Sequence, residues 1–117
     1  MSQPEKKTQR LEACLSQAVS LDRLITYADD SIVSKTLLDK PAGTLTLFAF
    51  DQGQRLSEHT SPYDAVVQVV EGQGTLTIDG KEVKADVGQL VIMPANIPHD
   101  VRADQKFKML LTMIRFK

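Results

Sequence analysis

The sequence predicts an all-β domain, an antiparallel sandwich or barrel, on three observations. After Asp30 the chain breaks into short apolar runs rich in Val, Ile, Thr, Leu and Phe. Turn residues punctuate those runs at short intervals, with no helical pattern between them. Asp79-Gly80 between GTLTI and KEVKA is a two-residue hairpin signal, since both central residues of a type I′ turn need positive φ; that hairpin places Leu76 opposite Val83.

The elements follow in chain order. Residues 1–10 are polar and charged and include Pro4, so a frayed terminus is expected, and residues 1–18 form a partly flexible N-terminal extension. A short helix is expected around Leu21 to Tyr27, with Ser20 as N-cap and with Leu21, Leu24 and Ile25 on one face to cover a sheet. SIVSKTLL, TLTLFAF, DAVVQVV, GTLTIDG, KEVKA, QLVIMP and FKMLLTMIRF then read as strands. The breaks fall at Pro41 to Gly43, Asp51 to Gly53, Glu71 to Gly74, Asp79-Gly80, Asp86 to Gly88 and Pro94 to Pro98. In DAVVQVV, alternation puts Ala65, Val67 and Val69 on one face and Val66, Gln68 and Val70 on the other. Both faces are mostly apolar, so both are expected to be covered. A second sheet covers one; the N-terminal segment or a second copy covers the other. A homodimer through the sheet edges and the strand near SIVSKTLL is the expectation.

Length and composition bound the function. At 117 residues with 42% hydrophobic side chains the chain suits one domain with one modest core. Fourteen basic residues against fifteen acidic ones give a net charge of −1, without the excess that binding a phosphate backbone requires. No tryptophan and only two tyrosines and four phenylalanines leave few rings for stacking bases, so nucleic acid is not an expected partner. No apolar run approaches the ~20 residues needed to span a bilayer, and MSQPEKKTQR carries no apolar signal segment, so no membrane partner is expected and the cytoplasm is the expected compartment. The single cysteine, Cys14, can form no internal disulfide and no CxxC metal pair, and it reads as structural.

The chemistry concentrates on the only two histidines, His59 in SEHTSPYD and His99 in NIPHDVRA. Gly53, His59 and Gly72 fit the spacing G-x5-H-x-H-x3,4-E-x6-G through GQRLSEHTSPYDAVVQVVEG. Gly88, Pro94 and His99 fit G-x5-P-x-G-x2-H-x3-N through GQLVIMPANIPHDVRA. These are the two motifs of the cupin family, and over residues 40 to 116 the chain resembles a small single-domain cupin. The resemblance implies a double-stranded β-helix, or jelly-roll barrel, with a pocket inside it. The anchors also have local reasons. Gly53, Gly72 and Gly88 stand where the chain is expected to reverse at positive φ, Pro94 and Pro98 bracket a rigid turn, and Asn96 replaces a glycine as the next residue to enter the left-handed region.

The departures fall on the metal ligands that the resemblance implies. The second histidine of the first motif falls on Ser61, its glutamate on Ala65 (or Val66 under the longer spacing), and the last asparagine of the second motif on Ala103. His59 and His99 remain as an incomplete metal set, whereas zinc takes at least three protein ligands and a non-haem iron site takes two histidines and a carboxylate. Asp64, Glu58 and Asp100 are the candidate third ligands, each one residue out of phase with an inward position unless a bulge re-aims it. Ser61, Tyr63, Ala65, Val67, Met93 and Met113 are the expected pocket, with Met109 and Leu111 on the same face of the last strand as Met113. Alanine in place of glutamate at 65 predicts a larger, more apolar cavity. Two functions follow: a binding module that holds a small organic ligand or a metal through His59 and His99, or a metal-dependent enzyme, oxygenase- or isomerase-like, acting on a small metabolite. The cofactor would be a divalent transition metal, Fe, Mn, Ni or Zn, weakly held. The plain alternative is a pair of polar residues at the barrel mouth, bonded to water or to each other.

Overall fold

The computed structural model describes residues 9–115 as an all-β domain with nine strands. They are β1 (Gln9–Arg10), β2 (Ile32–Lys40), β3 (Gly43–Phe50), β4 (Arg55–His59), β5 (Asp64–Ile78), β6 (Lys81–Asp86), β7 (Leu90–Met93), β8 (His99–Arg102) and β9 (Phe107–Ile114). One sheet runs β1-β2-β3-β9-β5-β7 and the other β6-β5-β8-β4, with every pair antiparallel. This is the expected jelly-roll barrel, and β5 belongs to both of its sheets.

That sharing corrects the sequence reading. The stretch Glu71 to Gly74 does not end a strand: β5 continues through it for 15 residues. Its first half pairs with β7 and β9, and its second half with β6 and β8. A register shift opposite β9 between Val69 and Glu71, followed by Gly72 at φ +76°, bends the strand from one sheet into the other. A Cβ on Gly72 would strike the Lys106 carbonyl oxygen, so glycine is required here by space as well as by φ. Phe107 fills the inside of the bend, over Gly74, and its ring stacks on Phe50 at 4.7 Å.

The hairpin reading holds. Asp79 and Gly80 have φ +53° and +80°, and Leu76 pairs with Val83. Gly53 and Gly88, both at positive φ, do stand at reversals, and Asn96 takes φ +66° in the turn before His99. Strands β4 and β8, which begin or end at the histidines, are short and are not among the apolar runs read as strands from the sequence.

The core between the sheets holds Phe50, Ala65, Val67, Val69, Leu76, Ala85, Met93, Val101, Phe107 and Met109. A second apolar layer lies outside the larger sheet. There Leu47, Ala49 and Leu110 are covered by Ile25, with Leu21, Leu24 and Tyr27 packed around it. The N-terminal segment therefore covers the outer face of the strand pair β3–β9 and reaches Val70. It does so without the expected helix: Leu21–Arg23 form a single 3-10 turn, and the Ser20 side chain makes no capping bond. With the cap unused and β-branched Ile25 and Thr26 following, the segment gains more from packing in an extended form. The frayed terminus expected for residues 1–10 falls mostly outside the described residues, although Gln9 and Arg10 pair with Asp39 and Leu38.

A polar cluster fastens this segment down. The Lys108 ammonium, on a nearly buried side chain, donates to the Asp22 carbonyl oxygen at 2.7 Å and lies 3.5 Å from the Glu71 carboxylate. The Tyr27 hydroxyl donates to the other Glu71 oxygen at 2.7 Å, and its ring lies 4.9 Å below the ammonium. Further along the same outer face, Leu90, Ile92 and Ile114 are each more than half exposed. Among the described residues no helix is long and apolar enough to cross a membrane.

Candidate functional site

His59 ends β4 and His99 begins β8, and the two are direct partners in the antiparallel pairing of these strands. A register shift between Leu56 and His59 turns both side chains inward, although simple alternation would put them on opposite faces. The imidazoles meet edge to face, with centroids 4.4 Å apart at 71°. His99 is buried at 3% exposure and His59 is exposed, so the pair runs from the barrel interior to its mouth.

Backbone contacts fix the tautomers. His59 Nδ1 lies 2.7 Å from the Ser57 carbonyl oxygen and His99 Nδ1 lies 3.0 Å from the Ile97 carbonyl oxygen. A carbonyl only accepts, so each Nδ1 donates to it, and in the neutral form of each ring the lone pair is on Nε2. Metal-binding histidines are commonly oriented in this way, by a carbonyl on the other nitrogen.

The loops that present the two histidines are tied to each other. Asn96 N–H donates to the Ser61 carbonyl oxygen at 2.7 Å, and Ala95 N–H donates to Asp64 Oδ1 at 2.8 Å. Ser61 Oγ accepts the Tyr63 N–H at 3.1 Å. Ser61 and Asp64 thus hold the mouth together and neither lines the cavity. Ser61 misses the expected pocket because β4 ends at His59 and the chain turns before Pro62.

The cavity beneath the histidines measures about 40 Å³ and is lined by Leu56, His59, Ala65, Met93, His99, Val101, Met109, Leu111 and Met113. Ala65, Met93 and Met113 are where the sequence puts them, as are Met109 and Leu111. Val67, fully buried, lies deeper in the core, and Tyr63 faces a separate surface groove with Pro62, Asp64, Ala95 and Ile114. Leu56 and Val101 escape the sequence reading because their strands do. The roomy cavity expected from alanine at 65 is not found. A water molecule's share of liquid is ~30 Å³, and pockets for organic ligands run to ~300–1,000 Å³. The volume left by the missing glutamate is taken up by methionine: Ala65 pairs on one side with Met93 and on the other with Met113.

The candidate third ligands lie elsewhere. Glu58 is exposed on β4, Asp64 is engaged by Ala95, and Asp100 points out of the barrel, with Oδ2 3.7 Å from Arg55 and Oδ1 without a hydrogen-bond partner. Among the described residues no three His, Cys, Asp or Glu side chains converge as a metal cluster. The donor set that would hold an ion at the mouth of this space consists of the two imidazoles, each with one nitrogen not bonded to a backbone carbonyl.

Comparison with known proteins matches residues 46–115 to the cupin domain family model. No curated protein matches. Among solved structures, a conserved protein of unknown function from Streptococcus pyogenes is 30% identical over 98% of this chain and 99% of its own, with a TM-score of 0.86. A cupin 2 conserved barrel domain protein from Leptotrichia buccalis is 38% identical over 80% of this chain, with a TM-score of 0.78; the match spans 46% of that longer protein. A cupin superfamily protein from Desulfitobacterium hafniense, 21% identical over 95% of this chain at a TM-score of 0.85, shares the fold.

Proposed function

We propose, from the premise that this chain belongs to the cupin domain family, that it is a metal-binding barrel protein whose ion is held by His59 and His99. One observation carries the reading: the rings are in contact, and each has its Nδ1 committed to a backbone carbonyl and its Nε2 free. When bound, the ion supplies a Lewis-acidic centre at the barrel mouth. The chain's own part is to orient the imidazoles through Ser57 and Ile97, to exclude water from below with an apolar floor, and to leave the His59 side open. The organic ligand expected from sequence becomes a small donor molecule at that open side, since the cavity itself holds little more than one water.

The experiment is metal analysis of untagged protein purified without chelators, followed by thermal unfolding with added transition-metal ions. An ion present at 100 times its Kd stabilises the native state by about 2.7 kcal/mol. Less than about a tenth of an equivalent of metal, with no ion raising the midpoint, would overturn the proposal.

The same reading includes a homodimer. The sheet face bearing Leu90, Ile92 and Ile114 is exposed beside the N-terminal segment and offers an apolar patch for a second copy. Sedimentation is expected to give twice the 13.0 kDa chain mass at micromolar concentration, and a monomer would refute it.

A further inference from the structure

The cavity floor is unusual for its sulfur. Three of the chain's four methionines, Met93, Met109 and Met113, line the same small space as both of its histidines. The remaining methionine, Met1, lies outside the described residues, so every described methionine is at this site. They come from two strands on either side of β5, and their placement has a register: Met93 and Met113 flank Ala65 directly, and Met109 pairs with Val69 one step further in. Position 65 is the slot where the cupin motif places a carboxylate. A hard anionic oxygen donor is thus absent from the slot, and a thioether stands beside it on each side.

Methionine fills irregular cores, and both Met93 and Met109 are nearly fully buried here. Packing alone does not account for the distribution. The rest of the core is built from Leu, Ile, Val, Ala and Phe, whereas the methionines collect in the small space that both histidines line. Met113, only half buried, is the least constrained of them by packing.

We infer that the site is built for a soft ion, and that it binds Cu(I) through the imidazoles of His59 and His99 together with the thioethers of Met93 and Met113. The inference rests on the metal-binding reading above and changes the metal: the divalent Fe, Mn, Ni or Zn expected from sequence gives way to a monovalent ion. Thioether is a soft neutral donor that selects Cu(I), imidazole accepts copper among several borderline ions, and carboxylate-rich sets prefer harder ions. Neutral donors also suit a partly buried site without a carboxylate, because a +1 ion needs less charge compensation there than a +2 ion. Low coordination numbers suit a space of about 40 Å³, which has no room for a shell of waters.

The test is an anaerobic Cu(I) titration against a chromophoric Cu(I) chelator, using wild type, H59A/H99A and M93L/M113L. Leucine retains volume and apolarity and removes only the sulfur. In parallel, one equivalent of Ag(I), a redox-inert soft ion, is added to protein carrying ¹³C-methyl methionine. Wild type is expected to take one Cu(I) per chain, M93L/M113L to bind it at least about tenfold more weakly, and Zn(II) affinity to change less than about threefold between these two. The Met93 and Met113 methyl resonances are expected to move with Ag(I). If M93L/M113L holds Cu(I) as tightly as wild type and no methionine methyl moves, the thioether assignment is overturned, while metal binding through the histidines stands. If H59A/H99A also binds as tightly as wild type, or if no ion binds at all, both readings fall. Should M93L/M113L not fold, the methyl shifts in wild type decide the point alone.

Discussion

Two polar clusters lie on opposite sides of the larger sheet, and they differ in what is left over. At the outer one, Lys108, Glu71 and Tyr27 are engaged with one another and with the Asp22 carbonyl. At the inner one, His59 and His99 each commit one nitrogen and keep the other. The first cluster joins the N-terminal segment to the barrel and has nothing further to offer a ligand. The second is held equally firmly by its backbone contacts but has unspent lone pairs over a small apolar space. The buried polar atom without a hydrogen-bond partner among the described residues is Asp100 Oδ1, outside the barrel, whereas the pair at the mouth runs from buried His99 to exposed His59.

The same contrast is present in the glycines that frame the clusters. Gly53 and Gly72 both have positive φ, but a Cβ at Gly53 would meet no atom within 4 Å, whereas at Gly72 it would strike Lys106 and Phe107. Gly72→Ala is therefore expected to cost about 2–4 kcal/mol, from φ strain plus overpacking at the bend. Gly53→Ala is expected to cost about 1–2 kcal/mol from φ strain alone. Urea unfolding measures both, and equal losses would refute the bend's dependence on close backbone approach.

The outer cluster gives the next effect. Lys108→Met keeps the stem and removes the charge, leaving the Asp22 carbonyl without its donor and Glu71 without its cation; a loss of about 1–3 kcal/mol is expected, with faster amide exchange over residues 21–27. No change in that exchange would show that the cluster does not fasten the segment. Tyr27→Phe is a smaller cut, about 1 kcal/mol for one hydrogen bond. It also carries a pH signature. Burial first, then the hydrogen bond to Glu71 and the Glu71 charge, raise the Tyr27 hydroxyl above the ordinary tyrosine range. The folded state thus keeps this proton longer than the unfolded chain. The contribution is complete below about pH 10 and is lost as pH rises toward the raised folded value. The stability difference between wild type and Tyr27→Phe is expected to be constant from pH 7 to 9 and to shrink above 10. A difference unchanged at pH 10.5 would contradict the arrangement.

Much of this architecture is legible in the residue order. The Asp79-Gly80 hairpin, the inward face of Ala65, Val67 and Val69, and the turn through Asn96 follow from local rules that tertiary contacts do not override. Gly72 is misread because a turn and a bulge need the same residue, and only the partner strands decide between them. The helix around Leu21 is misread because three apolar residues at helical spacing also suit an extended segment lying in a groove of the sheet. At the site, both histidines are legible from motif spacing, and the cavity methionines from strand parity. Leu56 is not, since a bulge before His59 breaks the alternation that would have placed it, and Val101 is passed over although alternation from His99 puts it on the same face. Ser61 and Tyr63 are misplaced for the opposite reason: alternation is carried past the end of β4, where the chain has already turned.

Ion binding by chelator competition to wild type and to His59→Ala/His99→Ala tests the metal site proposed at the two imidazoles. One ion per chain is expected in wild type and a loss of more than about a hundredfold in the variant, beyond the ~10–100-fold typical of residues that only support a ligand. An unchanged affinity in a variant that still unfolds cooperatively would contradict it.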